Sequence, residues 1–413
     1  MTFKPKIIND PVYGFVTIEH PIILDVINHP YFQRLRRIKQ LGLTNLVYPG
    51  ALHTRFHHAI GAMHLMQEAI RTLRIKGIKI SKEEEEASLL AILLHDIGHG
   101  PFSHALENTL VKSVSHEDFS SVLMKDLNEQ FDNKLQLAIE IFEDKYERKF
   151  FHQLVSSQLD TDRLDYLLRD SFFTGVSEGV IGTDRIIKML TVVDDKLVVE
   201  QKGIYSIEKF LIARRLMYWQ VYLHKTVLAA ENMLVNILKR AKELSTQQKQ
   251  DLFATPALKY FLINDFSKED FYKNGSQIIK QFVQLDDNDI ISSIKVWMQN
   301  SDFVLSELCK KFIYRDLFKT IIQKERIPQS LVKSVQSQTL KLYPKLDKNT
   351  LHYFVINNSV NNSAYVKSKF TIEIFDGKKL VDIADASDNF NIKALSKKVT
   401  KYFLCYDKRI EIK

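Results

Sequence analysis

The sequence predicts a mainly α-helical protein: an all-helical body with a small α+β subdomain at its C-terminus. From about residue 22 to 330, apolar residues recur at the three-to-four spacing of helix faces. From about residue 350 that rhythm gives way to short runs of β-branched and aromatic residues separated by turn residues. The chain holds only 13 Gly and 9 Pro among 413 residues, clustered near the front, which leaves few breaks in the helical stretch.

Residues 1–20 read as turns and short extended pieces, with Asn9-Asp10-Pro11 preceding Val12 to Ile18. Ile60, Met63, Met66, Ile70 and Leu73 share one helix face, while Ala87 to Leu94 is apolar on nearly every side and predicts a central, buried helix. Glu83 to Glu86 precede it and read as solvated acids that complement the helix dipole. Leu159 to Tyr166 predicts a further helix, on which Asp162, Tyr166 and Asp170 recur at i, i+4 and i+8 as one stripe. In the tail, Leu351 to Ile356, Ala364 to Phe375 and Leu380 to Ile383 read as strands, with Asp376-Gly377 as a hairpin turn. A helix over roughly 391–401 and a strand at Tyr402 to Tyr406 close the chain. The expected division is an N-terminal segment over 1–45, a helical domain over 46–330 and an α+β subdomain over 331–413.

With 45% hydrophobic and 26% charged residues the chain has the composition of a soluble globular protein. No apolar run approaches the ~20 residues that span a bilayer, and the N-terminus lacks the apolar core of a secretion signal. Cys309 and Cys405 are the only cysteines, which leaves no disulfide framework and no thiolate metal site and fits a reducing cytoplasmic setting. The formal charge of +8 suits a phosphate-rich partner, nucleotide or nucleic acid, without choosing between them.

Histidine is the informative residue. Of 13 in the chain, eight lie between 53 and 116: His53, His57, His58, His64, His95, His99, His104 and His116. Imidazole is neutral near pH 7, binds divalent metals and carries protons. The sharpest segment is His95-Asp96-Ile97-Gly98-His99-Gly100-Pro101-Phe102-Ser103-His104. Its His-Asp doublet follows the apolar run Ala91 to Leu94, where a charged pair is costly unless a cation compensates it. Gly98 and Gly100 then let the backbone turn, which can bring His99 and His104 back over one pocket. The blander reading is a helix end whose Asp and His cap the turn.

At these residues the chain resembles the HD-domain superfamily, whose signature is H…HD…D. The likeness extends through Gln33 to Gly42, Arg55 to His58, residues 95–104 and Asp162 to Asp170, which together look like deoxynucleoside triphosphate triphosphohydrolases. The resemblance implies metal ligands at His58, His95, Asp96 and Asp162, holding Fe, Mn, Co or Zn, with Mg as a possible second ion. It implies that His104, oriented by Glu117, protonates the leaving 5′ oxygen, and that His99 and His116 stabilise phosphate charge. Phosphate contacts carry over to Arg55, Arg163, Arg214 and Tyr166, and sugar selection to Gln40, Leu41, Tyr166 and Asp170, with Tyr222 lining the pocket. Lys6, Ile7, Asn9, Asn28, Gln33 and Arg36 match a regulatory nucleotide site between subunits of a homo-oligomer, dimer or tetramer.

Departures are visible too. Arg163 stands where the mammalian SAM-and-HD-domain enzyme has Lys, Leu223 where it has Gln, and His57 where it has Glu. Asn28 replaces an Asp that reads guanine and cannot offer the same two-acceptor edge.

The expected activity is hydrolysis of a deoxynucleoside triphosphate to deoxynucleoside and tripolyphosphate, with nucleotide activation. Two alternatives stay open: an HD-type phosphatase or phosphodiesterase acting on another phosphate ester, and a nucleic-acid-binding or nucleotide-sensing protein. No membrane partner is expected.

Overall fold

The computed structural model describes residues 3–102, 113–273, 275–363, 365–366, 371–388, 395 and 397–412. The chain begins with an antiparallel hairpin, β1 (Lys6–Asp10) and β2 (Gly14–Ile18), in which Lys6 faces Ile18. Asp10 makes the turn: its Oδ1 accepts the backbone N–H of Val12 at 2.9 Å and of Tyr13 at 3.0 Å. Gly14, at φ +77°, leads into β2. Proline then opens two helices at their first position, α1 (Pro21–Asn28) and α2 (Pro30–Gln33).

The centre of the body is a stack of three helices: α3 (Arg55–Ile75), α4 (Lys82–Leu94) and, after α5 (His116–Gln130), α6 (Gln136–Phe142) and α7 (Lys149–Val155), α8 (Thr161–Thr174). α3 packs against both α4 and α8. The predicted face of α3 is buried, and so are Gly61, Ala62, Leu65 and Ala69 on its other sides. α4 is buried from Ala87 to Leu94, as its apolar run requires. Its acidic start is not merely solvated. Ser81 and Glu84 form a capping box, and buried Glu84 also binds Tyr146 at 2.9 Å and Arg148 at 2.5 Å. Glu85 holds Arg74 at 2.6 Å and Glu86 meets His20 at 2.9 Å.

The helical stretch is interrupted where periodicity predicted none. After α9 (Thr183–Met189) comes a hairpin, β3 (Leu190–Val193) and β4 (Lys196–Glu200), turned by Asp194 and Asp195 with φ of 49° and 59°. Two left-handed residues in a two-residue loop match the right-handed twist of the strands. Helices resume with α10 (Ile204–Met217) and α11 (Lys225–Thr246), then α12 (Pro256–Ile263), α13 (Lys268–Lys273), α14 (Gly275–Phe282), α15 (Asp287–Trp297) and α16 (Phe303–Ile313). A strand the spacing did not predict, β5 (Lys319–Gln323), precedes α17 (Gln329–Leu342).

The tail contributes β6 (Ile356–Asn362), β7 (Glu373–Phe375), β8 (Leu380–Asp382) and β9 (Val399–Tyr406). The Asp376-Gly377 turn joins β7 and β8 as antiparallel partners, with Gly377 at φ +97°. β7 also pairs in parallel with β4, and β9 lies between β5 and β6, so the tail is stitched into the helical body by two sheets. Leu351 to Tyr353 is a 3-10 turn rather than the start of a strand, and residues 399–401 extend β9 rather than a helix. Residues 391–394 and 396 of that expected helix, and 364 and 367–370 of the expected strand, lie outside the described residues. Cys309 and Cys405 are both buried and free. Among the described residues, no helix is long and apolar enough to cross a membrane.

Candidate metal centre and adjoining cleft

Three helix ends meet at one point: the N-terminal turns of α3 and α8 and the C-terminus of α4. His57 caps the start of α3, its Nδ1 accepting the Thr54 backbone N–H at 3.2 Å. That fixes the first turn and places the next residue, His58, inward with no exposed surface. His58 Nδ1 lies 2.7 Å from Asp165 Oδ2, which turns Nε2 to face Asp162 Oδ1 at 3.1 Å and Asp96 Oδ2 at 3.8 Å. His95 follows α4 directly, and its Nδ1 donates to the Ile92 carbonyl at 2.6 Å. A carbonyl only accepts, so the proton sits on Nδ1 and the lone pair on Nε2. That Nε2 lies 3.3 Å from Asp96 Oδ1 and 3.6 Å from Asp162 Oδ1.

Both Nε2 atoms are buried without a hydrogen-bond partner among the described residues. Burial disfavours the charged form of His58, yet the carboxylates of Asp162 and Asp165 outweigh it and push the ring up to about 10. His95 is raised likewise, with Asp96 and Asp162 overcoming burial. Asp96, despite its burial, is held well below the carboxylate range by His95, His99 and Arg55. Two Nε2 atoms whose hold on positive charge is raised by neighbouring ionised carboxylates face one point, where a divalent cation would take a proton's place, and His₂Asp₂ suits Fe, Mn, Co or Zn. The residues fit a metal.

His58 is oriented by a buried chain of charges. Arg169 forks onto Asp165 through Nε and Nη2, both at 2.9 Å, and its Nη1 donates to Asp10 Oδ2 at 2.7 Å. The hairpin turn at the N-terminus therefore reaches the His58 imidazole through two carboxylates and a guanidinium. Gly61 makes room for it: a Cβ there would lie 2.0 Å from Arg169 Nη2 and 2.1 Å from Asp165 Oδ1.

The segment after Asp96 is braced from three sides. Gly98 does not adopt a positive φ; its value is close approach, because a Cβ would lie 2.3 Å from both the His116 carbonyl oxygen and the Ser120 nitrogen. Ser120 Oγ donates to the His95 carbonyl at 2.7 Å and accepts from Gly98 N–H at 2.9 Å. Buried Arg34 donates to the His99 carbonyl at 2.6 Å, and Asp287 Oδ1 accepts the Phe102 N–H at 3.0 Å. Ser120→Ala removes a donor and an acceptor from a dry site, so a loss of about 2 kcal/mol is expected in denaturant unfolding, with metal content unchanged.

His99 and His116 stack with centroids 3.9 Å apart, and His99 Nε2 lies 3.3 Å from Asp96 Oδ1. Burial and the neighbouring Arg55 keep His99 neutral, well below the usual histidine range. Two groups among the described residues are able to hold an ion, His58 with His95 and Asp162, and Asp96 with His99 and His116, so Asp96 falls in the second. Glu117 is exposed, with Oε1 3.5 Å from His116 Nε2. His104 lies outside the described residues.

A cleft of about 440 Å³ opens beside the cluster, within the size range of small-molecule sites. Of the residues expected there, Gln40, Leu41, Arg55, Asp96, His99, His116, Asp162, Arg163, Tyr166, Asp170 and Tyr222 line it. Arg55 pairs with Asp96, and Arg163 pairs with Asp160, the N-cap of α8, while lying 3.8 Å from Asp162. Asp170 accepts the Tyr222 hydroxyl at 2.8 Å and lies 2.8 Å from His53 Nε2. Arg214, on α10, is not among the residues that line the cleft, and its Nε and Nη1 are buried with no hydrogen-bond partner among the described residues.

The expected regulatory residues are dispersed. Lys6, Ile7 and Asn9 lie on β1, Asn28 ends α1, and Gln33 bridges the Ile27 carbonyl (2.7 Å) to Arg36 Nε (2.9 Å). Arg36 itself lies over the Phe56 ring at 3.5 Å. Among the described residues, no hydrogen bond joins the side chains of β1 to Gln33 or Arg36.

Sequence reasoning missed Asp10, Gly61, Asp165 and Arg169, the residues behind His58, and Glu231, which lines the cleft. The i, i+4 spacing of Asp165 and Arg169 was a usable signal; Glu231 carried none.

The HD domain family matches residues 55–170 and the HD associated region residues 181–260. A protein of Bacillus subtilis, YwfO, is 35% identical over 325 residues, covering 77% of this chain and 72% of that one. A Dictyostelium discoideum relative named deoxynucleoside triphosphate triphosphohydrolase SAMHD1 homolog is 32% identical over 257 residues; the match spans 58% of this chain but only 50% of that protein. The crystal structure of a phosphohydrolase from Bacteroides thetaiotaomicron superposes with a TM-score of 0.94 at 52% identity, covering 98% of this chain and all of that one. Paired imidazoles and carboxylates at the helix junction, a matching domain and a near-superposable phosphohydrolase together place the chain in the HD-domain phosphohydrolase family.

Proposed function

We propose that the protein hydrolyses deoxynucleoside triphosphates to deoxynucleoside and tripolyphosphate, with a divalent metal held by His58, His95, Asp96 and Asp162. The observation that carries this reading is one cleft joining the His/Asp cluster to arginines on one side and to Tyr166, Tyr222 and Asp170 on another. The relatives named as triphosphohydrolases support it.

A bound cation supplies a polarised phosphoryl oxygen and an acidified water. The chain's residues do the rest. Arg55, Arg163 and Arg214 bind phosphate oxygens, and neutral His99 with His116 donates N–H groups toward charge that grows in the transition state. His104 gives a proton to the 5′ oxygen, oriented by Glu117. The Tyr166 ring crowds the sugar 2′ carbon, while Gln40, Leu41 and Tyr222 wall the sugar pocket. Asp170 keeps a lone pair on each oxygen for a sugar hydroxyl, beyond those used by His53 and Tyr222. Lys6, Ile7, Asn9, Asn28, Gln33 and Arg36 form an activating nucleotide site completed by a second copy of the chain.

Incubating the protein with each dNTP, alone and mixed, in manganese or magnesium, and separating products by ion chromatography tests the reading. Tripolyphosphate is the expected product, with faster turnover in mixtures. Pyrophosphate or phosphate instead would reassign the protein to another HD phosphatase activity. Absence of turnover together with salt-sensitive nucleic-acid binding would make it a binding protein.

A further inference from the structure

One wall of the cleft has no place in the chemistry above. Glu231 lies in the second turn of α11 and lines the cavity together with Thr44 and Leu223. Among the described residues it makes no hydrogen bond or ion pair. Burial alone pushes its carboxyl up to about 7. A solitary carboxyl on the wall of a ligand cavity has no partner within the described residues, so one is expected to arrive with the ligand.

The charge pattern of the cleft restricts what that partner can be. Arg55, His99 and His116 lie by Asp96 and Arg163 lies by Asp162, on the metal side of the cleft where the proposed reading puts the phosphates. A carboxylate repels phosphate, so Glu231 faces the other end of a nucleotide. The groups there that can satisfy it are N–H donors. A carboxylate offers two acceptor oxygens side by side. Guanine presents two adjacent donors, its ring N1–H and its amino group; the exocyclic amines of adenine and cytosine present one position each; the thymine N3–H is flanked by two carbonyls that repel the carboxylate.

We propose that Glu231 is a base-reading residue, selecting nucleotides whose base carries adjacent N–H donors, guanine before adenine or cytosine and thymine last. The inference rests on the nucleotide reading of the cleft and names its specificity element. Sites built to pair a buried polar group discriminate strongly against ligands that leave it unpaired. A hydrogen bond to a charged group corresponds to about tenfold to hundredfold in selectivity.

The test compares the metal-loaded full chain with Glu231→Gln and Glu231→Ala, measuring kcat/KM for each of the four dNTPs. Inhibition by tripolyphosphate, metal content and the melting temperature are followed in parallel. The wild type is expected to favour dGTP over dTTP, and both substitutions to collapse that ratio about tenfold or more, with metal content and tripolyphosphate inhibition preserved. An unchanged ratio, or an equal fall on all four substrates, overturns the assignment, as does a wild type that hydrolyses dNTPs without preferring dGTP over dTTP. A wild type that turns over no dNTP sinks the nucleotide reading itself, and the base-reading role with it, before any variant is compared.

Discussion

Asp162→Ala is expected to lose bound metal and turnover together while the fold survives. Among the described residues, the Asp162 carboxylate is the one group within 3.6 Å of both Nε2 atoms, so its removal opens the cluster on the side that faces the cleft. Changing a residue that merely supports a metal ligand weakens affinity about tenfold to hundredfold; loss of a ligand should exceed that, and activity should fall by about a thousandfold. The side chain is at the cleft wall and partly exposed, so truncation leaves no large cavity in the core. Metal content by mass spectrometry, turnover and the melting temperature of the metal-free protein settle the matter. A variant that keeps both metal and activity removes Asp162 from the ligand set.

The second large effect is expected at a residue that touches no ligand. In Gly61→Ala the new methyl would meet Arg169 and Asp165 at about 2 Å. Arg169 is fully buried and held at three nitrogens, so it has nowhere to swing. Either α3 lifts away from α8 or the buried ion pair breaks, and breaking such a pair costs about 3–5 kcal/mol. That is a large share of the ~5–15 kcal/mol that holds a typical domain together. Gly77→Ala provides the contrast. That residue has φ +87° but open space around it, so only backbone strain of about 1–2 kcal/mol is expected. Equal losses at the two positions in denaturant melts would show that the charge chain tolerates the methyl.

What the sequence disclosed, and what it withheld, follows from how each feature is built. His95-Asp96 was legible because a charged doublet at the end of an apolar run is expensive, and cost is visible in one dimension. His58 and Asp162 needed the family resemblance to be picked out from their neighbours. On α8, the stripe through Asp162, Tyr166 and Asp170 was read, and all three line the cleft. Asp165 and Arg169 form a second stripe on the same helix, and spacing alone cannot say that both stripes are inward. The hairpin at Asp194-Asp195 had a readable turn between β-branched runs, but it sat in a long helical stretch whose rhythm masked it. The pairing of β4 with β7 joins residues 199 and 374, a separation no local pattern reports. Glu84 was misread because four consecutive acids look alike until one of them meets Arg148.

The file of charges running from the first hairpin to His58 also has an electrical consequence. Asp10, Arg169 and Asp165 sum to one negative charge, sealed from water. That deficit draws positive charge to the imidazole beyond it, whether a proton or an ion on its far nitrogen. Cutting away the opening strands would cancel the deficit, and the pull on a cation would slacken from behind, with every proposed ligand still in place.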